Sequence, residues 1–173
     1  YNELNRQKIE SNAALLHIPV TIFESNIFSV ANNTDKNPCY LCARMRRGYL
    51  YSKAQELGCN KIAYAHHKDD VIDSFLMSML YEGRIHTFSP VTHLEKSGVT
   101  LIRPLIYALE GEIRAFARAN DLPVCKNPCP ADGVTKRQES KDIIDELKVR
   151  VPDVKDRIFS SIEGAGIDGW SRH

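Results

Sequence analysis

Gly58-Cys59-Asn60-Lys61-Ile62-Ala63-Tyr64-Ala65-His66-His67-Lys68-Asp69-Asp70-Val71-Ile72-Asp73-Ser74 is the stretch whose reading decides the fold. Lys61 to Ala65 is short and apolar, with a glycine turn before it and a polar cluster after it, which predicts a strand. Asp70 to Tyr81 predicts a helix, with Asp70 as its N-cap and Asp73 completing a box-like start. The polar cluster between them therefore falls at the C-terminal end of a strand. Open α/β sheets bind ligands at that edge.

Working upstream, Cys39 to Leu57 carries Leu41, Met45, Leu50, Ala54 and Leu57 at helical spacing, and Gly58 stands where a C-cap glycine belongs. Asn2 to His17 predicts a further helix through Leu4, Ile9, Ala13 and Leu16. Pro19 to Glu24 is β-branched and predicts a strand, and Asn32 to Lys36 a polar loop. Downstream, Val91–Leu94 and Val99–Ile102 flank Glu-Lys-Ser-Gly, a hairpin signal. Helices are expected over Glu110–Asn120, Thr135–Val149 and Pro152–Glu163, and a frayed tail over Gly164–His173.

Strand and helix alternating at this spacing predict an α/β fold, a Rossmann-like parallel sheet with helices on both faces. Residues 1–108 would form it, and 109–173 a helical C-terminal part. A doubly wound sheet normally opens on a strand and a phosphate-binding turn. Neither is present in these 173 residues, so an N-terminal segment is expected to be missing.

Composition narrows the class. With 43% hydrophobic and 26% charged residues, the chain is ordinary for a globular domain. No apolar run is long enough to span a membrane and no secretory signal opens the sequence. A formal net charge of +1 means that a nucleic-acid partner would have to be met by a local patch. Five cysteines, an odd number in a core-forming chain, argue against a disulfide framework and for reduced thiols in the cytoplasm.

Three groups could carry chemistry. Pro38-Cys39-Tyr40-Leu41-Cys42 sets two thiols three residues apart at a helix N-terminus, whose dipole favours thiolates. That spacing suits zinc, an iron–sulfur cluster or a redox dithiol. Cys125 and Cys129 form a second cysteine group. Any single cysteine is as easily a small core residue, and Cys59, between a helix cap and an apolar strand, is expected to be packed inside. In the polar cluster after the strand, Asp69 and Asp70 could hold Mg2+ or orient an attacking group, while His66 and His67 could donate to phosphate. Arg103, at another strand end, would add a cation, although helix capping alone would also account for the carboxylates. The third group is basic: Arg44, Arg46, Arg47 and Lys53 follow the first cysteine pair, and Lys136, Arg137 and Lys141 the second. Such runs are commonly solvated faces, but beside metal ligands they suit a polyanionic RNA.

Taken together these stretches resemble the tRNA 2-thiocytidine synthetase branch of the N-type ATP pyrophosphatases (the PP-loop superfamily, adenine nucleotide alpha hydrolase-like in fold). The resemblance runs through Cys39–Gly48, Gly58–Asp70 with its His-His-x-Asp-Asp core, Arg103–Leu105 and Pro128-Cys129. It implies an enzyme that adenylates a tRNA cytidine carbonyl with ATP and replaces the oxygen by sulfur. That sulfur would be delivered through a [4Fe-4S] cluster on Cys39, Cys42 and Cys129. A sulfur donor such as a cysteine desulfurase would be a partner, and a homodimer is compatible with this reading. The family's Ser-Gly-Gly-x-Asp-Ser loop does not occur here. Asp73-Ser74 stand where Glu-Thr is usual, and Cys129-Pro130-Ala131-Asp132 where a Cys-x-x-Cys is usual. Rival readings are a PP-loop enzyme acting on another RNA base or a small molecule, and a zinc-stabilised RNA-binding module.

Overall fold

A computed structural model of the chain describes residues 3–34, 38–125, 129 and 136–170. Chain contacts gather it into two compact units. One comprises Tyr1–Lys53 with Arg114–Asp132, the other Ala54–Ile113 with Gly133–His173.

The second unit holds the sheet. Strands β1 (Lys61–Ala63), β2 (Val91–Leu94) and β3 (Val99–Ile102) lie in the order β1-β3-β2. β1 runs parallel to β3 with Ile62 opposite Leu101 and Ala63 opposite Ile102. β2 pairs antiparallel with β3, Val91 opposite Ile102 and Leu94 opposite Val99. The fold is thus α/β as expected, but the sheet is mixed. The expected hairpin supplies the antiparallel strand, and its turn closes at Gly98 in the left-handed region, φ 64°, with the Gly98 N–H on the Leu94 carbonyl.

α4 (Lys68–Met77) follows β1, and a π-helical turn (Ser78–Glu82) extends it to Gly83. Its N-cap is His67, not Asp70. His67 is extended (φ −124°), and Asp70, three residues on, accepts the His67 backbone N–H at 3.0 Å. Asp69 and Asp70 in the first turn also suit the helix dipole. α6 (Lys136–Arg150) and α7 (Val154–Gly164) pack against α4. The core formed there contains Val71, Ile72, Leu76, Ile106, Ile144, Phe159, Ile162 and Trp170, each such side chain contributing about 2 kcal/mol on burial. Trp170 corrects the expectation of a frayed tail. A 3₁₀ turn (Ile167–Gly169) folds the chain end back, and the indole is only 2% exposed. Residues 171–173 lie outside the described set.

The first unit contains α1 (Glu3–Leu15), α2 (Ile27–Asn32) and most of α3 (Pro38–Glu56). α3 ends as its glycine predicts. The Gly58 N–H reaches the Gln55 carbonyl and the Cys59 N–H that of Ala54, the paired bonds of a Schellman ending, with Gly58 at φ 70°. Pro19–Glu24 is not a strand. β-branched residues make a strand only where a ladder partner exists, and the described strands pair among themselves in the other unit. The segment instead offers Phe23 to Lys53, whose ammonium lies 5.2 Å from the ring centroid. Its Glu24 carbonyl accepts the Tyr49 hydroxyl at 2.9 Å. α2 has no counterpart in the sequence reading, because Ile27–Asn32 is too short for its periodicity to register. α5 (Glu110–Ala119) begins with the Leu109 N–H on the Glu112 carboxylate at 2.7 Å.

Candidate functional site

Because β1 and β3 run parallel, the segments leaving their C-terminal ends emerge at one edge of the sheet. His66, His67, Asp69 and Asp70 follow β1, and Arg103 follows β3. The structure therefore places all five of these sequence-predicted residues at the ligand-binding edge of the sheet.

Asp69 is buried and fully engaged. Its Oδ2 accepts the Glu110 backbone N–H at 2.7 Å and its Oδ1 the Lys155 ammonium at 2.6 Å. His67 Nδ1 stands 3.8 Å from Oδ2. Burial on its own would raise this carboxyl, but the Glu110 amide and Lys155 outweigh it and hold Asp69 below the ordinary carboxylate range. Lys155 is correspondingly raised against its own desolvation, chiefly by Asp69. Asp70 accepts the His67 N–H with one oxygen and Arg137 Nη1, at 2.9 Å, with the other. The two carboxylates are thus aimed by backbone donors, and each is paired with one cation. A partly buried pair so supplied with hydrogen bonds is a held anion, not a spare one.

His66 differs. Burial pushes its imidazole below the usual histidine value, opposed by Asp70 and aided by Arg103, Arg137 and His67. The ring is therefore neutral at neutral pH, and its Nδ1 makes no hydrogen bond among the described residues. Phe88 lies against it, centroids 4.8 Å apart, and the Arg103 guanidinium sits 4.8 Å over the same Phe88 ring. Arg103 donates through Nη1 to the Ser89 carbonyl and to Thr92 Oγ1. Asp73 is buried on α4 with one oxygen unpartnered among the described residues. Burial, abetted by Asp70 and Asp69 and opposed by Lys141 and Arg137, pushes its carboxyl up to about 6.

Sequence reasoning missed Lys155, Phe88 and the Glu110 amide. Lys155 sits in an unremarkable Val-Lys-Asp on α7, 86 residues from its partner, and no local pattern announces such a pair.

The other candidate residues belong mostly to the first unit. Cys39 and Cys42 occupy the first turn of α3, Cys39 exposed and Cys42 half-buried. None of the five cysteines is in a disulfide. Two thiols one turn apart near the positive end of a helix form a donor set suited to a soft metal centre. The Cys125 thiol approaches the Asn5 carbonyl at 3.9 Å, and Cys129 is half-buried. Among the described residues no three His, Cys, Asp or Glu side chains are grouped as a metal ion requires, so Cys129 is not gathered with the pair. Pro128 and residues 130–135 lie outside the described set. Cys59 corrects an expectation: it is exposed, since the Schellman ending turns it outward before β1 begins.

Arg44, Arg46 and Arg47 are exposed along α3. Arg47 donates back to the Ala43 carbonyl, and none of the three forms an ion pair among the described residues. In the second unit Arg137 is committed to Asp70. Lys136 bridges to Glu139 at 2.9 Å and lies 4.8 Å over the Tyr81 ring. Those two cations are less available to a polyanion than the arginines of α3.

Comparison with known proteins identifies the family. The family model of the PP-loop domain matches residues 3–139. A tRNA-cytidine(32) 2-sulfurtransferase of Ralstonia nicotianae is 34% identical over 84% of this chain and 48% of its own. Another from Syntrophotalea carbinolica is 37% identical over 72% of this chain and 49% of its own. The chain thus spans about half the length of the curated relatives it matches. Among solved structures, the U34-tRNA thiolase NcsA from Methanococcus maripaludis with its [4Fe-4S] cluster superimposes with a TM-score of 0.74 at 25% identity, covering 92% of this chain and 55% of that one.

Proposed function

This chain belongs to the PP-loop domain family, and on that basis we propose that the protein is an ATP-dependent tRNA sulfurtransferase. It adenylates a cytidine carbonyl oxygen in tRNA, releases pyrophosphate, and exchanges the adenylated oxygen for sulfur with loss of AMP. The observation that carries the reading is α3. One helix presents the thiol pair Cys39 and Cys42 on its first turn and Arg44, Arg46 and Arg47, unpaired with any described acid, on the next. A thiol pair beside a phosphate-binding face fits an enzyme that carries sulfur to RNA better than one acting on a small molecule.

The sheet edge would serve the adenylation. Asp70 and Asp69 are carboxylates suited to hold Mg2+ on a triphosphate, with Arg137 and Lys155 as the cations that hold them meanwhile. Arg103 would meet developing phosphate charge. His66 and His67 would donate to phosphate oxygens, His66 without adding charge. Cys39 and Cys42, with Cys129 as third thiol, would hold a [4Fe-4S] cluster. When bound, such a cluster supplies an iron without a protein ligand, at which sulfur can be presented. The arginines of α3 would position the tRNA backbone. A cysteine desulfurase as sulfur source, a homodimer and a cytoplasmic setting are consistent with this chemistry, and no helix among the described residues is long and apolar enough to cross a membrane.

Nucleoside mass spectrometry of tRNA from a strain lacking the gene tests the proposal. Loss of 2-thiocytidine, restored by the wild-type gene but not by Asp69→Asn, is expected. The resemblance to a U34-tRNA thiolase favours as second reading thiolation of a uridine, and loss of 2-thiouridine alone would select it. Unchanged thionucleosides would overturn both.

A further inference from the structure

The chain end of the second unit does something that packing alone does not require. After α7, Gly166 turns the backbone in the left-handed region, φ 63°, and Asp168 (φ 49°) and Gly169 (φ 82°) follow in the same region. Three such residues within four positions run this segment, Gly166–Trp170, across the loop that enters β2. There the Asp168 carboxylate accepts the Thr87 backbone N–H at 2.9 Å, and His86 Nδ1 lies 2.8 Å from the same oxygen. The Ser89 hydroxyl donates to the Asp168 carbonyl. Trp170 Nε1 donates to the Phe88 carbonyl at 3.2 Å. A Cβ on Gly169 would stand 3.6 Å from Ser89 Oγ, so this turn lies against the Ser89 side chain.

From below, the same loop is tied to α4 by the Thr87 hydroxyl on the Val71 carbonyl at 3.1 Å, both groups buried. Residues 86, 87, 88 and 89 are therefore each held, mainly by the chain end. What is held is Phe88, whose ring touches both His66 (4.8 Å) and the Arg103 guanidinium (4.8 Å), and Ser89, whose carbonyl accepts Arg103.

We propose that the Gly166–Trp170 segment is a positioning strap for the nucleotide site: through Asp168 and Trp170 it fixes Phe88 and Ser89, and through them the orientation of His66 and Arg103 toward ATP. This rests on the adenylating function proposed above. Asp168 and Trp170 are tied to Thr87, Phe88 and Ser89, so both act as positioning residues. Their effect belongs in the affinity for ATP, because His66 and Arg103 stay chemically intact and only their placement loosens.

The test uses the purified product of the complete gene with MgATP, unmodified tRNA and sulfide as sulfur source, following pyrophosphate release. Asp168→Ala is expected to raise the KM for ATP roughly tenfold, the equivalent of one missing hydrogen-bonded anchor, and to leave kcat at saturating ATP within about twofold. Asp168→Asn keeps an acceptor for the Thr87 N–H and tolerates the left-handed backbone, so it should restore the wild-type KM. Phe88→Leu keeps an apolar side chain without the ring and should reproduce the KM rise in a normally folded protein. A KM unchanged in both Asp168→Ala and Phe88→Leu, or a fall in kcat alone that tracks a shrinking folded fraction, overturns the strap. Absence of tRNA- and ATP-dependent pyrophosphate release in the wild type would instead sink the functional reading, and the strap with it.

Discussion

The two units solve different problems with the same kind of chain. In the second, α4, α6 and α7 close over a core whose central side chains see almost no solvent, and the carboxylates on α4 are aimed by backbone amides and basic side chains before any ligand arrives. In the first, α1 buries nothing and the described buried residues are Ile27 and Ala31. That unit is held by surface pairs such as Arg6 with Glu10 and Glu24, worth little each in water. Its thiols and arginines are presented on an exposed helix. The contrast suggests a division of labour. The carboxylates of the second unit are aimed by neighbouring backbone and basic groups, whereas the thiols and arginines of the first stand on a helix with little buried support.

The largest effect should come from the thiols. Cys39→Ala and Cys42→Ala, each in the complete protein, are expected to abolish iron loading and thiolation while leaving the melting of the second unit unchanged. Cys59→Ala should leave both intact. Iron counting and visible absorption after anaerobic reconstitution decide this, and full iron in the Cys39 variant would remove the metal role from the first unit.

Asp69→Asn comes next. It keeps an acceptor for the Glu110 N–H but leaves Lys155 without its counter-charge. Thiolation should fall by about a hundredfold or more, comparable to losing one preorganised electrostatic group, with a stability loss of about 2 kcal/mol. Denaturant melts beside steady-state rates would expose the opposite pattern, a large stability loss with rates per folded molecule unchanged, which would make Asp69 purely structural.

A smaller effect is expected on α3. Arg46→Glu with Arg47→Glu should weaken tRNA binding and flatten its salt dependence, by about 0.7 to 0.9 in log–log slope for each phosphate no longer neutralised. Filter binding across a salt series measures it. An unaltered slope would make this face a solvated one.

The smallest effect belongs to Asp73. Its carboxyl is at about 6 in the folded chain against 3.8 ordinarily, so the folded state holds its proton more tightly than the unfolded one. Below 3.8 the group is protonated in both states and costs nothing. Between 3.8 and about 6 stability falls as pH rises, and above that the penalty is complete. Asp73→Asn should therefore stabilise the protein at about pH 7 by about 1 kcal/mol after solvent screening. The gain should vanish on acidification below 3.8, as melts at several pH values would show.

What the sequence made legible divides along the same line. The hairpin Val91–Leu94 and Val99–Ile102 is readable to the residue because alternation and its Gly98 turn agree. The helices from α3 onward are readable as elements, and α3 also in its ending at Gly58. His66, His67, Asp69, Asp70 and Arg103 are readable as an edge cluster because a parallel pair of strands delivers its C-terminal ends together. Pro19–Glu24 misleads because strand propensity is settled by a ladder partner, and none pairs with it among the described residues. Asp70 reads as the cap by propensity, yet His67 takes that place with Asp70 reaching back to it. Lys155, Asp168 and Trp170 are illegible for one reason: their partners lie more than seventy-five residues away, at separations of 86, 81 and 82, beyond any local pattern.

Trp170 is the single tryptophan of the 173 residues, wedged edge-on against Phe159 at 5.1 Å and Tyr107 at 6.1 Å with its N–H on the Phe88 carbonyl. Indole emission from this stretch of chain is therefore a private optical channel. It reports the packing of the second unit, and because it leans on the backbone of Phe88, light collected from one buried ring would register whatever disturbs the wall beside His66 and Arg103.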